Sequence, residues 1–388
     1  MLFDFIANRL RSAGRATVFA AAGTAIAIAG NTAEAQVSRI ADADAGPIMM
    51  SMDSDVESAS DLEPVGFLSL VRGDSDCDSA CDSCDVGCCP PWWAHRSGVF
   101  AQALLLRPGS ADQIYELEFD DPTPAFPTGQ TGRTNIDEEL GFRVGFSCCA
   151  SECTSLVGRY TYFESDTQDS ITAGAGNVLV SQVIHPDLVT TGDTGLGSTA
   201  SANLDFQLID LAYRHIWRAN DTYAINWLAG FQYGRYEQDL LAIQQQAVAT
   251  GLATVDADVD FDGFGMLFGV DAMRRSCESG LLIYGRGMSS FLAGSWRGDY
   301  SATNQFGGGV VGNEYEDYRV TPVVELELGF GWQSKCGRCQ ATIGYMTSAW
   351  YNAISTREYI DAVRANNLVS VDETVTFSGL TGGIEARF

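Results

Sequence analysis

Apolar and polar residues alternate with period two in several stretches of eight to thirteen residues between residues 97 and 388. Successive side chains of an extended backbone point to opposite sides, so the pattern dictates strands with one greasy face and one wet face. In residues 140–147, Leu140, Phe142, Val144 and Phe146 share one face, and Gly141, Arg143, Gly145 and Ser147 share the other. In residues 223–235 the apolar set is Tyr223, Ile225, Trp227, Ala229, Phe231 and Tyr233, with a tyrosine at each end where interfacial girdles lie. In residues 320–332, Val324, Leu326, Leu328, Phe330 and Trp332 oppose Glu325 and Glu327. Carboxylates cannot face lipid at mid-depth without a large cost, so that face must point inward. Beyond the N-terminal run described below, no stretch reaches the roughly 18 apolar residues a membrane helix needs. A mature chain that crosses a membrane must then do so as a closed barrel, which pairs every backbone group.

Ten strands are expected, at about residues 97–107, 138–147, 155–165, 202–216, 223–236, 254–273, 280–293, 317–332, 340–352 and 372–388. Short links join the second to the third, the fourth to the fifth, the sixth to the seventh and the eighth to the ninth. The links after the first, third, fifth, seventh and ninth are expected to be long, acidic loops. Short turns at one end and long loops at the other are the organisation of bacterial outer-membrane barrels, and an even count returns both barrel ends to the periplasmic side. The phase shifts at Gly263 and near Leu208 and Ile209, which a β-bulge would explain. The expected fold class is all-β: a transmembrane antiparallel up-and-down β-barrel of about ten strands (8–12), preceded by a disordered Cys-rich segment.

Residues 1–35 read as a cleavable signal peptide. Arg9, Arg11 and Arg15 give a positive start, residues 16–30 are small or apolar, and Ala33 and Ala35 flank Glu34 just before the expected cut at Gln36. Residues 36–93 are acidic, Ser-rich and without periodicity; they carry Cys77, Cys81, Cys84, Cys88 and Cys89. Residues 94–388 form the barrel. The last strand places Ile384, Ala386 and Phe388 on one face and Glu385 and Arg387 on the other, which is similar to the terminal signal that barrel assembly machinery reads. The net charge is −27, from 50 acids and 23 bases. A phosphate backbone needs a basic face, so nucleic acid is excluded as a partner.

Residues 98–108 (GVFAQALLLRP), 141–145 (GFRVG), 204–211 (LDFQLIDL), 282–289 (LIYGRGMS) and the Phe388 ending resemble the Legionella-type major outer-membrane protein family. Planctomycete-like relatives of that family also carry a leading acidic region. The resemblance spans about residues 95–388 and implies a porin-type barrel embedded in outer-membrane lipid. It implies no defined ligand site.

By the inward phase, Arg143, Arg159, Arg214 and Arg286 face the lumen with Asp210, Asp271, Glu325, Glu327 and Glu385. Side chains nearly fill a barrel this small, since wide aqueous channels come at about 16 strands. The charges either form a constriction that sorts small solutes or ions, or pair into a rigid plug. Asp256, Asp258, Asp260 and Asp262 lie toward the loop side, as a cation funnel or as a solvated strand extension. The spacing is not that of an EF-hand.

Export favours disulfides among the eleven cysteines. Cys148, Cys149, Cys153, Cys277, Cys336 and Cys339 all fall in or beside short turns, on the side expected to carry the head. A disulfide-stapled periplasmic collar is expected, with the odd thiol left for an envelope partner or a second copy. The alternative is zinc at Cys77-x3-Cys81-x2-Cys84 and Cys336-x2-Cys339; otherwise no cofactor is expected. His95, His185 and His215 suggest no Ser-His-acid set, so no enzyme is expected. Two functions remain open. One is a porin passing small hydrophilic solutes or ions by diffusion. The other is a structural barrel that links envelope layers through its head. A soluble β-sandwich is opposed by Phe142, Trp227 and Phe330 on outer faces.

Overall fold

The computed structural model describes residues 97–388 apart from 121–126, 152, 190–194, 247–250, 306–307, 335–336 and 370. The signal peptide, the acidic head with its five cysteines, His95 and Cys336 lie outside the described residues. Thirteen strands are present among those described: β1 (Gly98–Gly109), β2 (Gln113–Asp120), β3 (Pro127–Thr134), β4 (Glu139–Ser151), β5 (Thr154–Thr172), β6 (Asn177–Ser181), β7 (Gly195–Ala219), β8 (Tyr223–Gln246), β9 (Leu252–Arg275), β10 (Leu281–Asn304), β11 (Gly309–Gln333), β12 (Cys339–Ala353) and β13 (Glu373–Arg387). Ten of them close an antiparallel ring in the order β1, β4, β5, β7, β8, β9, β10, β11, β12, β13. β1 completes it by pairing with β13, from Gly98 opposite Arg387 to Gly109 opposite Thr376. The ten expected strands are these ten. Both ends of the ring lie at the short-turn end, as an even count requires.

β2, β3 and β6 were not expected. They form an outgrowth at the loop end that joins the ring where β6 meets β7. Two of the expected long loops are also corrected. Only residues 247–251 separate β8 from β9, and 305–308 separate β10 from β11. The residues assigned to loops instead prolong strands β7 to β11 to 24 or 25 residues. About 10 residues suffice to cross lipid, so these strands stand well above the membrane. The link from β12 to β13 contains a helix, α1 (Thr356–Arg364). Its start is a capping pair: the Ser355 side chain accepts from the Glu358 backbone N–H at 3.2 Å. On the turn side the links are tight. Gly280, between β9 and β10, has φ of 72° and lies against the Gln333 carbonyl, which leaves no room for a side chain.

The expected phase shifts at Leu208 and Gly263 do not occur, because pairing runs unbroken through both. The exterior face of β9 carries Asp256, Asp258, Asp260 and Asp262 and then Phe264, Met266, Phe268 and Val270 in one phase. What changes at Gly263 is the surrounding solvent. A bulge does exist in β7, between Ile216 and Arg218, and it leaves Trp217 73% exposed at the turn-end rim.

The lipid belt consists of large apolar side chains exposed on the outside: Phe146, Leu211, Phe231, Phe268, Leu328 and Ile343 are examples. Among the described residues no helix is long and apolar enough to cross a membrane. The belt ends upward at Tyr162 and Tyr233, whose hydroxyls donate to Glu164 and Asp262 at 2.5 and 2.6 Å. It ends downward at Trp217, Trp332 and the terminal Phe388, 87% exposed. Aromatic rings with one polar edge settle where lipid meets water. Ile384 is exposed beside Phe388 on this face, and Ala386 pairs with Val99 and Cys339.

Candidate functional site

The interior of the ring has two storeys. Within the lipid belt it is charged. Arg143 on β4 reaches across the lumen to β11, with its Nη2 2.7 Å from Glu325 and its Nη1 3.4 Å from Glu327. Its Nε donates to Thr161 at 3.0 Å. Glu327 is fully buried and also accepts from Tyr284 at 2.8 Å, Thr381 at 3.2 Å and Gln102 at 3.2 Å, with Arg286 at 3.5 Å. Register explains the set: Arg286 lies directly opposite Glu327 on one side and Asp271 on the other. Around the ring, Arg159 lies opposite Asp210, 2.7 Å away, and Asp210 lies opposite Gln232, which donates to it at 2.5 Å. Arg214 stands 3.9 Å from Asp271, which also accepts from Asn226. Glu385 takes Arg387 at 2.8 Å. In six of these contacts arginine meets carboxylate in low dielectric, where an unpaired charge would cost several kcal/mol.

Every lumen residue singled out in the sequence thus faces the interior. There the groups bond to one another, between neighbouring strands for Arg159 and Arg286 and across the bore for Arg143. A cavity of about 70 Å³ lies in this storey beside Arg159, Arg214, Arg286, Asp271 and Glu385. That is room for about five waters.

Above the charged storey lies a layer the sequence reading missed. Phe206 on β7 meets Trp350 on β12 with ring centroids 6.0 Å apart. β7 and β12 are five places apart in a ring of ten, so the contact spans the full diameter. Phe377 packs tilted against Phe206 at 4.6 Å, Tyr236 and Phe261 reach Trp350 at 5.9 and 6.5 Å, and Trp296 lies on Phe261 at 4.7 Å. Trp296, Trp350, Tyr236, Phe261 and Phe377 are all fully buried. Such pairs contribute about 0.5–1.5 kcal/mol each beyond the area they bury. The available signal was the run Leu204, Phe206, Leu208, which is apolar on the face that turns polar at Asp210.

Higher still, α1 and the outgrowth fill the ring. Tyr359, Ile360 and Val363 are buried. The Tyr359 hydroxyl donates to the Gly298 carbonyl at 2.8 Å, and the Arg364 Nε donates to the Ile184 carbonyl at 3.2 Å. In the outgrowth, Glu116 is buried with the side chains of Ser198 and Gln244 as partners, and burial pushes its carboxyl up to about 8. Two residues on, Glu118 accepts from the backbone N–H of Gln130 at 2.7 Å and of Gly174 at 2.7 Å and from Asn177 at 2.9 Å; those bonds hold its carboxyl below the usual range.

The other expectations fall as follows. The aspartates at 256, 258, 260 and 262 point away from the lumen, while Val255, Ala257, Val259 and Phe261 point in; the cation-funnel reading is corrected to a solvated outer face. Cys148, Cys149, Cys153 and Cys339 sit at the turn end as thiols, so the expected collar is not formed by these four. Cys277 is disulfide-bonded. No cluster of His, Cys, Asp or Glu fit for a metal occurs among the described residues. His185 is buried at the loop end and its Nδ1 accepts from the Asp187 N–H at 3.2 Å, while His215 packs on Trp227 outside the barrel.

Comparison with known proteins gives a family match. The model described as the Legionella pneumophila major outer membrane protein precursor matches residues 90–388. No curated protein matches. Among solved structures, the outer membrane protease OmpT from Escherichia coli is similar at 9% identity and a TM-score of 0.42, over 76% of this chain and 97% of that one. The toluene transporter TodX from P. putida is similar at 10% identity and 0.32, over 76% and 67%. The transport unit of the autotransporter AIDA-I from Escherichia coli is similar at 7% identity and 0.28, over 75% and 90%.

Proposed function

The chain belongs to the Legionella pneumophila major outer membrane protein family and is an outer-membrane β-barrel, and from that premise we propose that it acts as a closed surface barrel that does not pass solutes by diffusion in the state described. One observation carries this reading: Phe206 and Trp350 touch across the whole diameter of the ring. Apolar constrictions exclude water and ions even when slightly open, and this one is packed shut.

The role of such a barrel is to anchor and present. Strands rising above the membrane carry a compact loop-end body toward the cell exterior. At the other end, four thiols stand at the rim from which the Cys-rich head departs, within reach of an envelope partner. The second reading is a porin, favoured by the charged storey, whose Arg286 keeps 20% of its side chain exposed in the lower lumen.

Planar-bilayer recording separates the two. The purified mature chain should insert without steady conductance, and the double variant F206A/W350A should conduct. A stable single-channel step from the wild type would establish the porin and reject the closed barrel.

A further inference from the structure

We propose that the aromatic layer is a gate, with Trp350 as its moving leaf and α1 as its latch: when α1 withdraws, the indole turns down against the wall and donates to Ser348, which donates to Glu325. The proposal rests on the closed-barrel reading and adds how that barrel opens. Two fully buried tryptophans hold the layer, and they are fastened differently. The Trp296 Nε1 donates to the Thr321 hydroxyl at 2.9 Å. The Trp350 Nε1 is buried without an acceptor. A buried donor left unpaired costs free energy, which any conformation that supplies an acceptor recovers. The missing partners stand just below. Ser348 lies two residues toward the turn end, on the same inward face of β12. Register puts Glu325 of β11 directly opposite Ser348. The Ser348 Oγ and the Glu325 Oε1 are both buried without a partner, while the other Glu325 oxygen takes Arg143 at 2.7 Å. One turn of the indole would therefore satisfy all three orphaned atoms and leave the Arg143–Glu325 pair in place.

The backbone at Trp350 suits a moving part. Trp296 sits in mid-strand, paired with Asp317 on one side and Phe261 on the other. Trp350 is instead the last residue of β12 to pair with β11, and its pairing with β13 then skips to Ala353. Within that skip Asn352 takes a left-handed φ of 58°, a sparsely populated conformation that collects at switch segments. The chain then enters α1 through Ser355. α1 also holds the layer from above. The Gln238 Oε1 accepts from the Thr356 N–H at 3.2 Å and from the Tyr236 hydroxyl at 3.0 Å, and Tyr236 packs on Trp350. Withdrawal of α1 breaks the first of these bonds, loosens Tyr236 and releases the tether of Trp350 together.

Two measurements on the full mature chain test the gate. In wild type in detergent micelles, ¹⁵N relaxation dispersion is read at the indole N–H signals, assigned with W296F and W350F. Exchange is expected at Trp350 and none at Trp296. In planar bilayers, Y359A removes the buried anchor of α1 and should give brief discrete openings that the wild type lacks. Adding S348A to Y359A should make those openings about tenfold rarer, the loss of one hydrogen bond in the open state. Gel mobility with and without heating reports whether each variant folds; if Y359A does not, the dispersion decides by itself. Flat dispersion at Trp350, silence of a folded Y359A, or openings as frequent in Y359A/S348A as in Y359A would each overturn the gate. Steady conductance of the wild type is a separate result, which would reject the closed barrel and the gate with it.

Discussion

Two lengths of the same strand obey opposite rules. In the upper part of β9, Val255, Ala257, Val259 and Phe261 are buried inside while four aspartates face out. In the lower part, Phe264, Met266, Phe268 and Val270 face out and Asp271 faces in. β7 inverts in the same way between Leu208 and Ile209, with Leu204, Phe206 and Leu208 inside above and Asp210 and Arg214 inside below. Above the boundary the ring is built like a water-soluble barrel, with an apolar core and a charged surface. Below it the ring is built for lipid. Neither face is intrinsically the core face; burial from water decides above, and contact with lipid decides below. The two interiors are therefore held by different forces, and different substitutions should damage them.

The largest effect belongs to the lower interior. E327L removes the acceptor shared by Arg143, Arg286, Tyr284, Thr381 and Gln102. Two arginines then lose a partner in low dielectric, and a loss of about 3–5 kcal/mol is expected. Denaturant unfolding in lipid or detergent measures it. The sharper comparison is rescue: neutralising Arg143 as R143M in the same chain should recover part of the loss. No such rescue exists for W350A in the aromatic layer, where the deficit is a void. If R143M and E327L simply add, the lower interior is not an electrostatic network.

This inversion also explains what the sequence made legible. Within the lipid, alternation is strict and each strand's existence follows from it; residues such as Leu328 beside Glu327 leave one orientation possible. The turns were equally plain, because lipid-spanning strands must end together. Above the boundary the pattern is equally regular but reversed, so it resembled a phase slip at Gly263 and an acidic loop beyond it. The outgrowth was hidden for another reason. Residues in β2 such as Glu116 and Glu118 are polar yet buried, and their burial depends on partners from β3, β8 and residue 174, distant in sequence. The signal for α1, Ser355 followed by Glu358, was present and outweighed by the surrounding strands. Arg143 and Glu327 could be assigned inward from phase, but their contact across the bore could not, since phase carries no information on which strands face each other.

Glu116 gives the intermediate effect and probes the upper interior by pH. Its carboxyl titrates at about 8 in the folded state because burial disfavours the charged form. In the unfolded chain it titrates near 4.5. Between those values the folded state alone holds the proton, so stability of the loop end must fall as pH rises through the window. Glu118 acts with the opposite sign: its carboxylate is favoured when folded, so its contribution is present above the ordinary value and lost in acid. E116Q keeps an acceptor and cannot ionise. At pH 9 it should stabilise the outgrowth on the order of 2 kcal/mol, and at pH 4 it should be close to neutral. Hydrogen exchange of the β2 and β6 amides reads this locally, and the lipid-spanning strands should be unchanged. Equal protection of E116Q and wild type at pH 9 would show that the carboxylate is not confined.

The smallest effect tests whether α1 is packed as part of a core or merely laid over the opening. Tyr359 is fully buried and its hydroxyl donates to the Gly298 carbonyl at 2.8 Å, with Asn313 as a second neighbour at 3.0 Å. Y359F keeps the ring and leaves those acceptors in place. In a close-packed core a net loss of about 1 kcal/mol is expected, because no water can replace the hydroxyl. On a loosely resting helix water would enter and the loss would vanish. The readout is the exchange rate of the α1 amides: an increase of about fivefold relative to wild type fits a packed interior, while an unchanged rate would make α1 a cover, and the resemblance of the loop end to a soluble core would stop at the aromatic layer.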